Sequence, residues 1–151
     1  MKRSERKQHD PDLGVLTGRL MFAIQTELFE TLAAQGHPDV RPHHGAVLAY
    51  LDAEGSRATD LARQSGRHKQ VIGKLIDELE GLGYVERRPD PADRRAKLIV
   101  PTARGLDQMA RSDAIVAAIE ERHAQAMGAD EFAAFKRVFG DVTERQRGPR
   151  P

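Results

Sequence analysis

The stretch from Gly83 to Gly105, GYVERRPDPADRRAKLIVPTARG, constrains this chain more than any other. Apolar and charged residues alternate, the pattern breaks at Pro89, Asp90 and Pro91, and alternation resumes from Lys97 to Val100. Period-two alternation on both sides of a proline-rich break predicts two short strands. The connection between them reads as a loop too long for a tight hairpin turn, with arginines at its tip.

Upstream lie two helical segments separated by Ser65-Gly66. Helix, short turn, helix and then a basic β-loop is the layout of a winged helix-turn-helix, a mainly α (α+β) fold. Apolar spacing supplies the other elements. A long helix is expected after Asp10, a suitable N-cap with Pro11 at the first helical position, and should stop near Gly36. Leu13, Leu16, Leu20, Ala23, Ile24, Leu28 and Leu32 form its stripe. A second helix is expected over Pro42–Ala53 and a third over Thr59–Gln64. The fourth should span His68–Leu82, burying Val71, Ile72, Leu75, Ile76, Leu79 and Leu82. Pro101 lacks an N–H, so the second strand should end by Val100. Thr102 can cap a fifth helix over 102–126, Gly128 interrupts, and a last helix runs from Ala129 to Val142. Residues 1–10 and 144–151 read as disordered tails. Residues 37–101 then form a DNA-binding lobe, while 11–36 and 102–143 form a helical dimerisation region. Apolar stripes at both ends exceed what so small a lobe can cover, which favours pairing with a second copy.

Charge is informative by location. The 151 residues carry a net charge of only +1, yet residues 57–104 hold eleven Lys/Arg against seven Asp/Glu. The absence of cysteine excludes disulfides and thiolate metal sites and fits a reducing compartment. No apolar run approaches membrane-spanning length, so a cytoplasmic protein is expected. Six histidines (9, 37, 43, 44, 68, 123) fall into no His-x-x-x-His pattern, and neither a phosphate-binding glycine loop nor a nucleophile elbow occurs. The chain is therefore expected to be no enzyme, to have no catalytic residues and to need no cofactor.

The run LARQSGRHKQVIGKLIDELEGLGYVERRPDPADRRAKLIVPTARG resembles the DNA-binding lobe of the MarR family of bacterial transcriptional regulators. Asp90-Pro91-Ala92-Asp93-Arg94-Arg95-Ala96-Lys97 is similar to that family's D-x-D-R-R-x-K wing, and Thr102 and Gly105 to its Thr-x-x-Gly. The likeness extends over about residues 11–143. Two positions depart from it: His68 replaces the usual serine at the recognition-helix start, and Pro101 stands where leucine is frequent.

In helix-turn-helix proteins the N-terminal residues of the second helix meet base edges in the major groove. His68, Lys69, Gln70, Gly73 and Lys74 are the candidates; Gln70 can bond adenine bidentately, and Lys69 or Lys74 can reach guanine or phosphate. Close approach of DNA would explain Gly73, a residue costly inside a helix. In the wing the candidates are Asp93, Arg94, Arg95 and Lys97. The resemblance implies that Arg95 enters a minor groove while Asp93 braces the arginine geometry. Arg57, Arg67 and Arg88 are expected at phosphates. The resemblance also implies a homodimeric repressor on double-stranded DNA, released by a small aromatic or anionic effector. Arg19, Phe22, Arg41, His43 and His44 lie in segments that could line its pocket. The alternatives at this stage are a nonspecific DNA-binding or partner-binding module, and a metal-responsive regulator using His37, His43 and His44.

Overall fold

The computed structural model describes residues 1–151, which divide into two compact units, 1–113 and 114–151. Residues 3–9, expected to be a disordered tail, form a short helix, α1 (Arg3–His9), in which the Lys2 N–H donates to Glu5 at 2.9 Å. The first long helix, α2 (Leu13–Ala34), starts two residues later than expected. Its cap is Asp12, in extended backbone, whose carboxylate accepts the Val15 N–H at 3.0 Å and also pairs with Lys7. Only Leu32 of the α2 stripe is fully buried, whereas Leu13, Leu16 and Leu20 are exposed in the single chain.

The helix expected over Pro42–Ala53 is shorter. Pro42–His44 make one 3-10 turn and α3 spans only Gly45–Leu48. The chain must then double back: Asp52 N–H donates to Ser56 Oγ, and Gly55 takes φ +107°, a conformation cheap only for glycine. This turn brings Ser56 to Ile99, where the two residues exchange N–H···O bonds of 2.9 and 2.8 Å. Helices α4 (Ala58–Ser65) and α5 (Lys69–Gly81) follow, separated by Gly66 at φ +72°.

Strands β1 (Val85–Asp90) and β2 (Asp93–Pro101) form an antiparallel ribbon. Pairing runs from Val85↔Pro101 to Pro89↔Lys97 and then jumps to Asp90↔Asp93. The strands thus close round a two-residue Pro91-Ala92 turn, tighter than the sequence suggests, and Arg94, Arg95 and Ala96 have no partner on β1. No residue in this turn has positive φ, so it lacks the mirror-image geometry that matches strand twist; the register jump accommodates the mismatch. Pro101 extends β2 one residue beyond expectation, at the strand end where a missing donor costs little. Helix α6 (Ala103–Met127) begins immediately and α7 (Ala129–Arg147) follows Gly128, continuing through residues expected to be tail.

The core lies within the first unit. Val47, Leu48 and Leu51 meet Leu61 and Ala62 of α4, Ile72, Leu75, Ile76 and Leu79 of α5, and Tyr84, Val85 and Ile99 of the ribbon. Each large apolar side chain so buried contributes about 1.5–3 kcal/mol over leaving it in water. A polar clasp fastens the ribbon's base to α6. Tyr84 Oη donates to Asp39 at 2.6 Å, His37 bridges Tyr84 and Asp107, and the Arg104 guanidinium lies 4.3 Å from the Tyr84 ring centroid. No helix is long and apolar enough to cross a membrane.

Candidate nucleic-acid interface

Helix α5 presents two unlike faces. Ile72, Leu75, Ile76 and Leu79 recur at helical spacing and are buried, which fixes the rotation of the helix. His68, in extended backbone as the N-cap residue but with no side-chain cap bond, then stands exposed with Arg67, Lys69, Gln70 and Lys74. Val71, expected in the core, is 45% exposed because the buried stripe begins one residue later. It adds an apolar surface suited to a thymine methyl beside Gln70. Gly73 is half-buried, and a Cβ there would meet no atom within 4 Å, so the fold itself does not demand glycine.

The wing is held at its base and released at its end. Thr102 Oγ1 donates to Gly83 O at 2.6 Å and accepts the Gly105 N–H at 3.1 Å, while Thr102 N–H donates to Tyr84 O. A Cβ on Gly105 would lie 2.1 Å from Tyr84 O, so only glycine lets α6 close against this strand. Further out, Asp90 is 6% exposed; it accepts the Ala92 N–H at 2.9 Å and the Arg57 Nε–H at 2.7 Å. These two bonds, the Ala92 amide first, hold its carboxyl below the usual range, and Asp90 in turn raises Arg57. Asp93 accepts the Arg95 backbone N–H at 3.0 Å, which orders the bulge carrying Arg94 and Arg95.

Ion pairing sorts the eleven cations of residues 57–104. Arg57 pairs with Asp90, Arg63 with Asp60, Arg87 with Asp77 and Glu80, Arg88 with Glu86, and Arg104 with Asp39. Arg67, Lys69, Lys74, Arg94, Arg95 and Lys97 have no ion-pair partner. Arg67 lies just before α5, Lys69 and Lys74 on its first half, and the other three in the outer wing, and all are exposed. Of the three arginines assigned to phosphates, Arg67 is thus free, whereas Arg57 and Arg88 are engaged within the lobe.

A cavity of about 330 Å³ lies between α2 and the segment leading into the 3-10 turn, lined by Phe22, Phe29, Glu30, Val40, Arg41 and Pro42 among others. Phe22 and Arg41 are in its wall. Arg19 is exposed on α2 outside that wall, and His43 and His44 turn away towards α5. Both imidazole Nε2 atoms lie 3.0 Å from Glu78 Oε2. The donor atoms of His43, His44 and Glu78 lie within 4.8 Å of one another, close enough to suggest a metal site. The tautomer argues against one: His44 Nδ1 accepts the Arg41 N–H at 2.9 Å, so Nε2 carries the ring proton and has no lone pair for a metal. His37 lies apart, bonded to Tyr84 and Asp107.

The roles of three residues escape a reading of the sequence. Ser56 supplies the bridge to Ile99, Asp90 locks the wing to the α4 start, and Glu78 ties α5 to the 3-10 turn. Asp90 had a local signal, since Asp-Pro-Ala-Asp is turn chemistry. Glu78 had none, because its partners are more than thirty residues away.

A helix whose polar N-terminal face is exposed beside a basic two-stranded wing defines a winged helix-turn-helix of the DNA-binding kind. Residues 39–96 match the model of the MarR family. The chain is 25% identical over 130 residues to the HTH-type transcriptional repressor Rv2887 of Mycobacterium tuberculosis, covering 86% of this chain and 92% of that one. The fold is similar to that of the transcriptional repressor CouR bound to a 23-mer DNA duplex (TM-score 0.72, 25% identity, 91% of this chain and 96% of that one). It is also similar to CouR from Rhodococcus jostii RHA1 bound to p-coumaroyl-CoA (TM-score 0.70, 28% identity, 87% and 91% covered).

Proposed function

We propose that this chain is a cytoplasmic DNA-binding transcriptional regulator, acting as a repressor on a pseudo-palindromic duplex as a homodimer and released by a small aromatic or anionic effector. The observation that carries the DNA reading is the sorting of cations. Six exposed charges without partners cluster at the two places where a winged helix-turn-helix meets a duplex, while the neighbouring arginines are neutralised by the fold. Phosphates supply the missing counter-charge, and base edges are within the chemistry of Lys69 and Gln70.

Dimerisation is supported by apolar side chains that each unit leaves in solvent. On α2 these include Leu13, Leu16 and Met21, and on α7 Phe135, Val138 and Val142. A second copy covers them, and two-fold symmetry spaces the recognition helices about one DNA turn apart, roughly 34–36 Å. The effector reading rests on the cavity, whose volume falls within the range of about 300–1,000 Å³ usual for ligand pockets. Phe22 and Phe29 offer stacking surfaces and Arg41 a cation, a set suited to an aromatic acid. The CouR complex with p-coumaroyl-CoA makes aromatic acyl compounds the first class to try.

Selection of bound duplexes from a random pool tests the specific reading, followed by titration of affinity with salt. A sequence-specific dimer should enrich an inverted repeat and keep its preference at physiological salt. Equal affinity for all duplexes, falling in parallel as salt rises, would instead establish a nonspecific binder. Lys69→Ala combined with Gln70→Ala should flatten the selected motif while retaining residual duplex binding.

A further inference from the structure

The 3-10 turn Pro42–His44 lies between the proposed effector cavity and the recognition helix, and its contacts are specific on both sides. On the cavity side, Arg41 and Pro42 form part of the wall. On the other, His43 and His44 converge on one oxygen of Glu78, in the last turn of α5. Between them runs an unbroken hydrogen-bond chain. The Arg41 backbone N–H donates to His44 Nδ1 at 2.9 Å, and His44 Nε2–H donates to Glu78 Oε2 at 3.0 Å.

We infer that His44 and Glu78 are positioning residues through which occupation of the α2 cavity resets the recognition helix. The inference rests on the effector reading given above and adds the route by which it acts. His44 is suited to the task because its tautomer is fixed from one side. Accepting at Nδ1 obliges the proton to sit on Nε2, pointing at Glu78. Its side chain is only 3% exposed, and burial holds its pKa below the ordinary histidine value, so the ring stays neutral. The two imidazole bonds, that of His43 first, hold Glu78 below the usual carboxylate range and keep it an acceptor.

Movement is transmitted because the linkage is short and stiff. An imidazole has no internal torsion between its nitrogens, so a shift of the Arg41 backbone displaces Glu78 or breaks the chain. Glu78 lies nine residues along α5 from Lys69, about 13 Å at 1.5 Å per residue. A small tilt pivoting on this anchor is thus amplified at the DNA end of the helix. The His43 bond gives the anchor a second leg, and the 4.1 Å separation of the two ring centroids packs one leg on the other.

The test need not await the natural effector, because the chain has no cysteine and a single introduced thiol can be labelled uniquely. Ala33, exposed and in the cavity wall, is replaced in Ala33→Cys and alkylated with monobromobimane, which places an aromatic occupant there covalently. Affinity for a duplex from the random-pool selection is then measured with and without the label. In the otherwise unaltered chain, labelling should change affinity at least fivefold, the lower end of typical allosteric coupling. Adding Glu78→Leu should reduce this ratio to near one. Adding Glu78→Gln, whose amide oxygen still accepts from the imidazoles, should preserve it. Because the readout is the ratio for labelled and unlabelled forms of one variant, a general loss of stability cancels. A ratio near one without any Glu78 change, or one that survives Glu78→Leu, would overturn the relay. A separate titration of cysteine-free protein with 4-hydroxycinnamate, followed by DNA release, tests the effector reading itself, and its failure leaves the labelling result standing.

Discussion

The base and the outer end of the wing belong to one ribbon yet are built on opposite principles. At the base, Tyr84, Val85, Ile99 and Pro101 are buried, every register position is paired, and Thr102 and Gly105 close α6 against the strand. At the outer end, Arg94, Arg95 and Ala96 have no register partner on β1, while Asp93 holds a backbone amide and Asp90 holds the Ala92 amide and Arg57. The difference teaches that the fold invests in where the wing points and leaves what it carries uncommitted. Stability and DNA affinity should therefore respond to different residues a few positions apart.

The sharpest attempt to break that separation is Ile99→Ala. Ile99 is almost fully buried in the lobe core, and its truncation should cost about 3 kcal/mol, read as a lower urea midpoint with an unchanged slope. Arg95→Ala is the converse. Unfolding should move by less than about 0.5 kcal/mol, while operator affinity in a gel-shift titration falls roughly tenfold or more. If Arg95→Ala destabilises the fold, or leaves affinity unchanged, the two halves of the wing are not separate in function.

Gly73→Ala extends the contrast to α5. With open space around the position, alanine should stabilise the helix by up to about 1 kcal/mol in thermal unfolding. Operator affinity should nevertheless drop, because the added methyl occupies the face offered to DNA. A gain in both would show that DNA does not approach there. The smallest effect concerns acid. Asp90 has a lowered carboxyl pKa in the folded chain, so its ionised form contributes stability above the unfolded value of about 3.9 and loses it as pH falls through the lowered one. In Asp90→Asn that part of the acid limb should be absent when unfolding is followed below about pH 4.

Sequence periodicity located these regions because each depends on local chemistry. The α5 stripe, the Thr102 cap, the break at Gly128 and the alternation of Tyr84 to Arg88 are set by residues within a few positions of one another. What escaped depends on distant contacts. The Pro42–Ala53 segment has helical composition, yet the chain leaves the helix after Leu48 to bring Ser56 to Ile99. Val71 is as apolar as Ile72, and only the packing of α5 determines which of them is covered. Likewise, adjacent histidines suggested a pocket or a metal, whereas Arg41 and Glu78 determine what His44 can do. Free and paired arginines look identical in the sequence; their partners distinguish them.

The register jump at Asp90↔Asp93 has a further consequence for how such a protein can diversify. Residues 94–96 have no register partner on β1, so their number is not tied to the number of residues opposite. Insertions or deletions there change the reach of the wing by about 3 Å per residue without shifting the alternation that faces the core. The bulge is thus a site of tolerated length variation in an otherwise fixed scaffold, where descendants of one fold can be refitted to operators of different groove depth.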